Sequence, residues 1–282
     1  MKLVRYGAAG SEKPGLIDKS GQLRDLSAHV SDLAGDAFSP ASLAKLAALD
    51  PTKLTAVSGS PRLGSPVGGL PKFIAIGLNY ADHAAEAGMA LPAEPIVFMK
   101  GVNSLCGPHD DVEKPRGSTK LDWEVELAVI IGTRAKYVSE ADATKHVAGY
   151  AVCNDVSERN FQIERGGQWT KGKSADTFGP IGPWLVTKDE IQDVQNLGMW
   201  LDVDGHRYQD GSTKTMIFGV AHLVSYISQF MTLEPGDIIA TGTPPGVGLG
   251  QKPPVFLKVG QSMRLGIQGL GIQTQRTVAA RA

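Results

Sequence analysis

Glu124 and Glu126 interrupt the run 123–131, whose remaining residues are all apolar and suit a buried strand. Because successive side chains of a strand point to opposite faces, residues two apart share a face, and both carboxylates lie on one side. Two ionised carboxylates removed from water together cost on the order of several kcal/mol unless a cation compensates them. A fold that buries this strand must therefore supply positive charge beside it.

A third carboxylate, Asp155, closes a second short apolar segment at residues 150–153. Three carboxylates without a neighbouring Cys or His pair suit a hard divalent cation, Mg²⁺ or Mn²⁺, with positions left for water or substrate. The residues alone leave two interpretations open. Either Glu124, Glu126 and Asp155 form a metal site, or the two glutamates face solvent on a half-exposed strand.

Composition is that of an ordinary globular protein, since 42% of the 282 residues are apolar. A net charge of −1 and a pI near 6.6 provide neither a basic surface for nucleic acid nor a polybasic patch for anionic lipid. The N-terminus lacks an apolar signal segment, and no run reaches the roughly 18 apolar residues of a membrane span, so we expect a cytoplasmic protein. Cys106 and Cys153 form no C-x-x-C motif and are expected to be small buried hydrophobic residues.

The chain is predicted to divide near residue 70. Residues 1–70 are expected to form a small α+β domain with a helix at 39–49, and residues 71–282 the larger domain. The Gly- and Pro-rich stretch 61–72 is the predicted linker.

Short strands outnumber helices in the larger domain. The predicted strands are FIAIG, PIVFMK, WEVELAVIIG, GYAVCND, GPWLVT, MWLDVDGHRYQ with a hairpin turn at its Asp-Gly pair, DIIATGT, VFLKVG and SMRLGIQ. The predicted helices span residues 79–87, 139–147 and 220–230. Because the strands do not alternate with long helices, the pattern argues against a doubly wound parallel sheet and predicts a mixed, strand-rich α/β sandwich or roll.

One segment imitates a nucleotide site. Residues 167–174, GQWTKGKS, match the phosphate-loop motif, but polar residues precede them and Pro180 and Pro183 follow. The motif needs a strand before it and a helix after it, so we predict no ATP site. The glycines of TPPGVGLG are followed by QKPP rather than by a helix and do not indicate a dinucleotide site.

His83 and Glu86 lie three apart in a predicted helix and share one face. A carboxylate beside an imidazole orients the ring and raises its basicity, as a water-activating general base requires. The same spacing also occurs in solvated surface pairs, which contribute little to stability. Both interpretations stay open from the residues alone.

Four further polar residues are candidates for the site. Lys173 lies in a Gly-flanked loop, where its ammonium could stabilise an oxyanion, and Arg159 and Gln162 could bind a carboxylate and a carbonyl or hydroxyl group. Thr243 follows a predicted strand and could contact a substrate. Each could equally be an ordinary loop residue.

Several motifs, taken in order, resemble the fumarylacetoacetate hydrolase family. They are GLNYADHAAE, EPIVFMK, DWEVELAVIIG, GYAVCNDVSERNFQ, QWTKGKSADTFGPIGP and PGDIIATGTPPGVG. The resemblance covers most of residues 72–267 and is greatest to bacterial ureidoglycolate lyases and hydrolases of 2,4-diketo-3-deoxy sugar acids. Residues 1–70 resemble only the family's variable N-terminal extension. Leu78 departs from the arginine that small-acylpyruvate hydrolases of the family often carry.

The resemblance implies a fold, a site and a chemistry. The implied fold is a mixed β-sandwich roll, usually dimeric, with a divalent metal, Mg²⁺ or Mn²⁺, at the pocket floor. The implied roles are metal binding by Glu124, Glu126 and Asp155, acid–base catalysis by His83 with Glu86, catalysis by Lys173, and substrate binding by Gln162 and Thr243.

The activity implied is hydrolysis of a C–C bond in a 2,4-diketo acid, giving pyruvate and a hydroxy acid. The diketo acid is expected to derive from a deoxy sugar acid. The same site also serves ureidoglycolate lyases and the isomerases and decarboxylases of the family. A binding protein without catalysis would not need His83.

Overall fold

The computed structural model describes residues 1–86 and 88–280. The strands are β1 Lys2–Tyr6, β2 Lys13–Ile17, β3 Leu23–Asp25, β4 Leu63–Gly64, β5 Phe73–Gly77, β6 Ile96–Lys100, β7 Leu105–Cys106, β8 Val112–Lys114, β9 Leu121–Asp122, β10 Val125–Ile131, β11 Val147–Asn154, β12 Ser157–Glu158, β13 Gly179–Thr187, β14 Gly198–Val203, β15 His206–Ser212, β16 Ile238–Ala240, β17 Ser262–Ile267 and β18 Gly271–Ala279. The α-helices are α1 Pro40–Ala47, α2 Ala81–Glu86, α3 Glu140–Ala143, α4 Thr170–Lys173 and α5 Val220–Phe230.

Two large sheets form the architecture. The first has the strand order β3-β2-β1-β13-β11-β10-β16-β5-β6, with β4 on β1 and β7 on β13. The second has the order β15-β14-β17-β18-β8. Most pairs are antiparallel, and three are parallel: β5 with β16, β7 with β13 and β8 with β18. The predicted mixed, strand-rich sheet structure is therefore observed.

Strand β10 lies at the centre and is buried on both faces. Val125 and Leu127 pack in the same core as Leu265 of the second sheet, whereas Ala128 and Ile130 pack in a separate core on the other face. Alternation along the strand thus gives each face its own hydrophobic core, as in a packed sandwich. Glu126 lies two residues before Ala128 in β10, so its side chain is on the same face of the strand as Ala128 and Ile130.

The N-terminal residues join the first sheet. β1 pairs with β13 in antiparallel register, and Leu3 and Phe38 share a hydrophobic core with Leu185. Residues 1–70 therefore contribute strands and core side chains to the structure that carries β10. The division of the chain at residue 70 stays a prediction.

Two strongly patterned elements, helix α5 and the β14–β15 hairpin, were predicted correctly. Helix α5 has the predicted bounds, and the hairpin between β14 and β15 turns at Asp204 and Gly205, both of which have positive φ. Ser139 caps α3 as expected, but that helix ends at Ala143 and a 3₁₀ turn leads directly into β11. None of the helices in residues 1–86 and 88–280 is long and apolar enough to cross a membrane.

Two further predicted elements need correction. Residues 255–260 form a loop and turn instead of a strand, because their backbone N–H groups bond to scattered partners such as the Leu121 carbonyl oxygen. Helix α2 starts at Ala81, since the Asn79 side chain bonds to the backbone of Phe218 and Thr241 instead of capping a helix. The predicted end of that helix, Ala87, lies outside the described residues.

Candidate active site

Three buried carboxylates meet at one end of the first sheet. One ligand oxygen from each of Glu124, Glu126 and Asp155 lies within 4.8 Å of the others, and the three residues are at most 6% exposed. The register of β10 and β11 opposes Val125 to Asn154, so the residues just outside this pair become neighbours. The Asp155 amide accordingly donates to the Glu124 carbonyl oxygen at 2.9 Å.

Three buried cations surround these carboxylates. Lys173 Nζ donates to Glu124 Oε2 and to Asp155 Oδ2, each at 2.6 Å. Lys100 Nζ donates to the other oxygen of Asp155 at 2.5 Å and to the Lys173 carbonyl at 2.6 Å. The Arg159 guanidinium donates to Glu124 Oε1 at 2.6 Å. The interpretation of Glu124 and Glu126 as solvent-facing residues is therefore wrong.

Glu126 is the member of the group that lacks a cation of its own. No salt bridge among the described residues reaches its carboxylate, which accepts a hydrogen bond from the Gly242 amide at 2.9 Å. Burial, together with the charges of Asp155 and Glu124, raises the pKa of Glu126 well above its usual value. Burial acts in the same direction on Glu124, but Arg159 and Lys173 outweigh it and lower the pKa of that carboxyl.

The charges of the buried group do not balance. In their fully ionised forms, the four carboxylates of Asp122, Glu124, Glu126 and Asp155 exceed the three cations of Lys100, Arg159 and Lys173 by one negative charge. Burial and this excess together raise the pKa of Glu126. The excess negative charge lies on oxygen atoms alone, at a place where a divalent cation would remove a desolvated repulsion. The residues present therefore fit Mg²⁺ or Mn²⁺, with Glu124, Glu126 and Asp155 as the group that would hold it.

The His83–Glu86 pair forms as the helical spacing indicates. His83 Nδ1 lies 3.0 Å from Glu86 Oε2, and the two side chains are 16% and 22% exposed. Glu86 also accepts a hydrogen bond from the Gly246 amide at 3.0 Å. A backbone contact from a distant loop thus holds the carboxylate that orients the imidazole, which a freely solvated pair would lack.

A single cavity of about 560 Å³ unites these groups. Its lining includes eight of the nine residues predicted for the site: His83, Glu86, Glu124, Glu126, Arg159, Gln162, Lys173 and Thr243. The ninth, Asp155, is 1% exposed and contacts the cavity through Lys173. The volume lies within the roughly 300–1,000 Å³ typical of small-molecule sites.

The predicted substrate-binding side chains already have protein partners. Arg159 donates to Asp122 and Glu124, and its Nη1 donates to Gln162 Oε1 at 3.1 Å. The Thr243 hydroxyl donates to the Val125 carbonyl oxygen at 2.9 Å. Their roles in substrate binding stay predictions, and the structure gives Arg159 a further task as a cation of the carboxylate group.

Two contributors escaped the sequence analysis. Lys100 ends the apolar strand β6 and is 1% exposed, and its charge inside FMK was the available signal. Asp122 accepts hydrogen bonds from the Gly248 and Leu249 amides at 2.6 and 3.0 Å. These bonds hold residues 243–250, the glycine loop TPPGVGLG, against the site. Nothing in the sequence near Asp122 indicates that contact, because the loop is more than a hundred residues away.

Residues 167–174, which match the phosphate-loop motif, contribute a lysine to the active site. This lysine, Lys173, lies in α4 with its ammonium 2.6 Å from two carboxylates. Residues 174–178, which follow, form no helix. Lys173 therefore belongs to the carboxylate group of this cavity, and the absence of an ATP site stays a prediction.

Comparisons with known proteins match nearly the whole chain. A family model described as fumarylacetoacetate (FAA) hydrolase C-terminal matches residues 72–278, which include every candidate site residue. A protein of Burkholderia orbicola (strain MC0-3), provisionally named a hydrolase, is 66% identical over 278 residues, or 98% of this chain and 99% of that protein.

Solved structures with different activities share the fold. Maleylpyruvate hydrolase from Sphingobium sp. SYK-6, in complex with manganese(II) ion and pyruvate, has a TM-score of 0.81 at 29% identity. 2-Hydroxyhepta-2,4-diene-1,7-dioate isomerase from Mycobacterium marinum has a TM-score of 0.77 at 30% identity. Both likenesses cover 100% of this chain and of that chain, and they confirm the predicted β-sandwich roll.

Proposed function

The chain belongs to the fumarylacetoacetate hydrolase family, and we propose that it is a divalent-metal-dependent hydrolase that cleaves the C3–C4 bond of a 2,4-diketo acid to give pyruvate and a second carboxylic acid. The observation that carries the proposal is that one cavity contains both the imidazole of His83, oriented by Glu86, and the buried carboxylates of the proposed metal site. Pyruvate and manganese in the Sphingobium hydrolase support it.

Each residue has a definite task in this reaction. With Nδ1 held by Glu86, the other ring nitrogen of His83 takes a proton from the water that attacks C4. Lys173 supplies positive charge for the oxygen anion that forms on C4. The C3–C4 bond then breaks, its electron pair stays on C3, and protonation of C3 yields pyruvate.

The three buried carboxylates lie at the floor of the cavity, where the 2-oxo acid part of the substrate would bind. A divalent cation held by Glu124, Glu126 and Asp155 would supply positive charge for the 2-oxo and carboxylate oxygens and for the negative charge of the leaving pyruvate unit. Lys100 and Arg159 hold Asp155 and Glu124 in place, so the ligand oxygens are oriented before the cation arrives.

A substrate panel tests the proposal. The protein with Mn²⁺ or Mg²⁺ is incubated with acetylpyruvate, longer acylpyruvates, a 2,4-diketo-3-deoxy sugar acid, ureidoglycolate and a 2-hydroxydienoate, and the products are identified by NMR. Pyruvate with the matching acid, in equal amounts, is expected. Glyoxylate with urea would instead make it a ureidoglycolate lyase, and an isomerised or decarboxylated product without cleavage at C3–C4 would overturn hydrolysis.

The glycine loop provides a test of the imidazole pair. A Cβ atom at Gly250 would lie 2.9 Å from the carboxyl carbon and Oε2 of Glu86. Gly250→Ala is therefore expected to displace this carboxylate from His83 and to lower kcat about 10- to 100-fold, because small misplacements of catalytic groups carry penalties of this size.

Gly198→Ala is the matched control for that substitution, since its Cβ would meet the Gln268 amide only at 3.7 Å. Stopped assays at saturating diketo acid and a melting curve for each variant supply the comparison. A wild-type kcat in Gly250→Ala would remove Glu86 from the mechanism.

Three further expectations stay proposals. They are a homodimer, a cytoplasmic location and the absence of a nucleic-acid or membrane partner.

A further inference from the structure

The wall of the active-site cavity is aromatic where it adjoins the polar floor. Lys173 Nζ lies 5.3 Å from the Phe98 ring centre, and Phe98 meets Trp169 edge to face at 5.3 Å. A Cβ atom at Gly77 would lie 2.2 Å from Cζ3 of Trp169, so the glycine leaves room for the indole. The cavity wall thus contains a large apolar side chain, the Trp169 indole, beside the catalytic groups.

The rim of the same cavity exposes apolar side chains. Met89, Ile163 and Leu249 line it and are 55%, 51% and 38% exposed. They come from three separate segments of the chain. Exposed apolar side chains that converge on one concave surface are typical of a binding site for an apolar group.

Leu78 adds a backbone observation. It lines the cavity with φ at +48°, in the left-handed region that side chains other than Gly, Asn and Asp rarely adopt. Leucine has no polar atom to stabilise that conformation by a local hydrogen bond. Strained conformations persist where the surroundings impose them, most often at functional sites. The surroundings of Leu78 therefore hold this apolar residue of the cavity lining in a strained backbone conformation.

Most polar groups near the floor are already bound to protein atoms and offer few contacts to the hydroxyl groups of a substrate. Arg159 and Thr243 donate to protein oxygen atoms, Gln162 accepts from Arg159 through Oε1, and Glu86 is bound to His83 and a backbone amide. Gln162 Nε2 and the Lys252 ammonium, both in the cavity lining, have no acceptor among the described residues and remain for a substrate. A hydroxyl group buried without a partner lowers affinity by about tenfold. A polyhydroxylated acyl group would therefore fit this wall poorly.

We propose that the site selects 2,4-diketo acids whose acyl group is apolar, such as an unbranched alkyl or an aryl group, and that Leu78, Phe98 and Trp169 form the selecting wall. This inference rests on the proposed diketo-acid hydrolysis and narrows its substrate class. It replaces the deoxy sugar acid expected from the sequence with an acyl group that the wall can bury.

The first experiment measures kcat/KM for acylpyruvates with acyl chains of two to eight carbons and for dihydroxylated counterparts of equal length. Each added methylene is expected to raise kcat/KM about fourfold until the wall is covered. The dihydroxylated compounds are expected to fall at least about tenfold below their alkyl counterparts. Equal values for the two series would overturn the inference while leaving diketo-acid hydrolysis standing.

A second experiment needs no turnover. Saturated 2-oxo acids from 2-oxobutanoate to 2-oxooctanoate lack the C4 carbonyl, and their binding in the presence of Mn²⁺ is measured by calorimetry. Affinity is expected to rise with chain length. Affinity independent of length would overturn the inference, whereas rising affinity with no hydrolysis of any diketo acid would overturn only the proposed function.

Leu78→Asn tests the wall residue directly, because Asn tolerates positive φ and the variant should fold. It is expected to reduce the preference for 2-oxooctanoate over 2-oxobutanoate by about tenfold without lowering Tm. Tyr137→Asn is the matched control, since Tyr137 has φ at +53°, is 68% exposed and lies outside the cavity lining. An unchanged preference in Leu78→Asn would remove Leu78 from the selecting wall.

Discussion

His83→Ala is expected to lower kcat by about 10²- to 10⁴-fold, the range typical for loss of a general base, while metal binding stays nearly intact. The imidazole contacts Glu86 but none of the three carboxylates of the proposed metal site. Turnover of an active diketo acid and the Mn²⁺-dependent rise in Tm, measured on the same preparation, separate the two functions.

Two companion variants sharpen this test. Glu86→Gln keeps the size of the side chain but is expected to weaken the imidazole as a base and so to lower kcat as well. His222→Ala is the matched control, because His222 also pairs with a glutamate, Glu140 at 3.1 Å, and lies on the exposed side of α5. If His83→Ala turns over as fast as His222→Ala, the pair at His83 is a surface feature and the mechanism is wrong even if the metal site stands.

Glu126→Gln is expected to abolish the rise in Tm that Mg²⁺ or Mn²⁺ produces, because it removes the one proposed ligand carboxylate that has no cationic side chain as its partner. A cation that binds only the folded state at 100 times its Kd stabilises the protein by about 2.7 kcal/mol, so the loss is measurable. Without metal, the variant should melt at or above the wild-type temperature, since a buried repulsion is relieved.

Asp155→Ala should abolish the same metal effect but behave differently without metal. Lys100 and Lys173 would each lose a buried partner, and breaking such a pair typically costs about 3–5 kcal/mol. Asp111→Asn, at an exposed carboxylate outside the group, is the control. An undiminished metal-dependent Tm shift in both Glu126→Gln and Asp155→Ala would remove these residues from the site.

The sequence by itself determined the features that depend on neighbours along the chain. A period of two predicted that Glu124 and Glu126 lie on the same side, and they meet at the site although only Glu126 lies within β10. Helical spacing brought His83 to Glu86, and the 3.6-residue pattern defined α5. Strand β18 was not predicted, although its polar and apolar residues alternate clearly. Strand β2 was not predicted either, because its proline and glycine weaken the alternation.

The tertiary structure alone decided how these local pieces combine. The register of β10 against β11 brought Asp155 beside Glu124, and the folded chain delivered Lys100 to Asp155 across 55 positions. The apolar cavity wall likewise combines residues that are far apart in the sequence, namely Leu78, Phe98 and Trp169. Local periodicity carries no information on such contacts, because strand order, register and loop paths follow from packing of the whole chain. The sequence therefore determined the kinds of groups in the site, and the fold decided their charge balance and the shape of the space they surround.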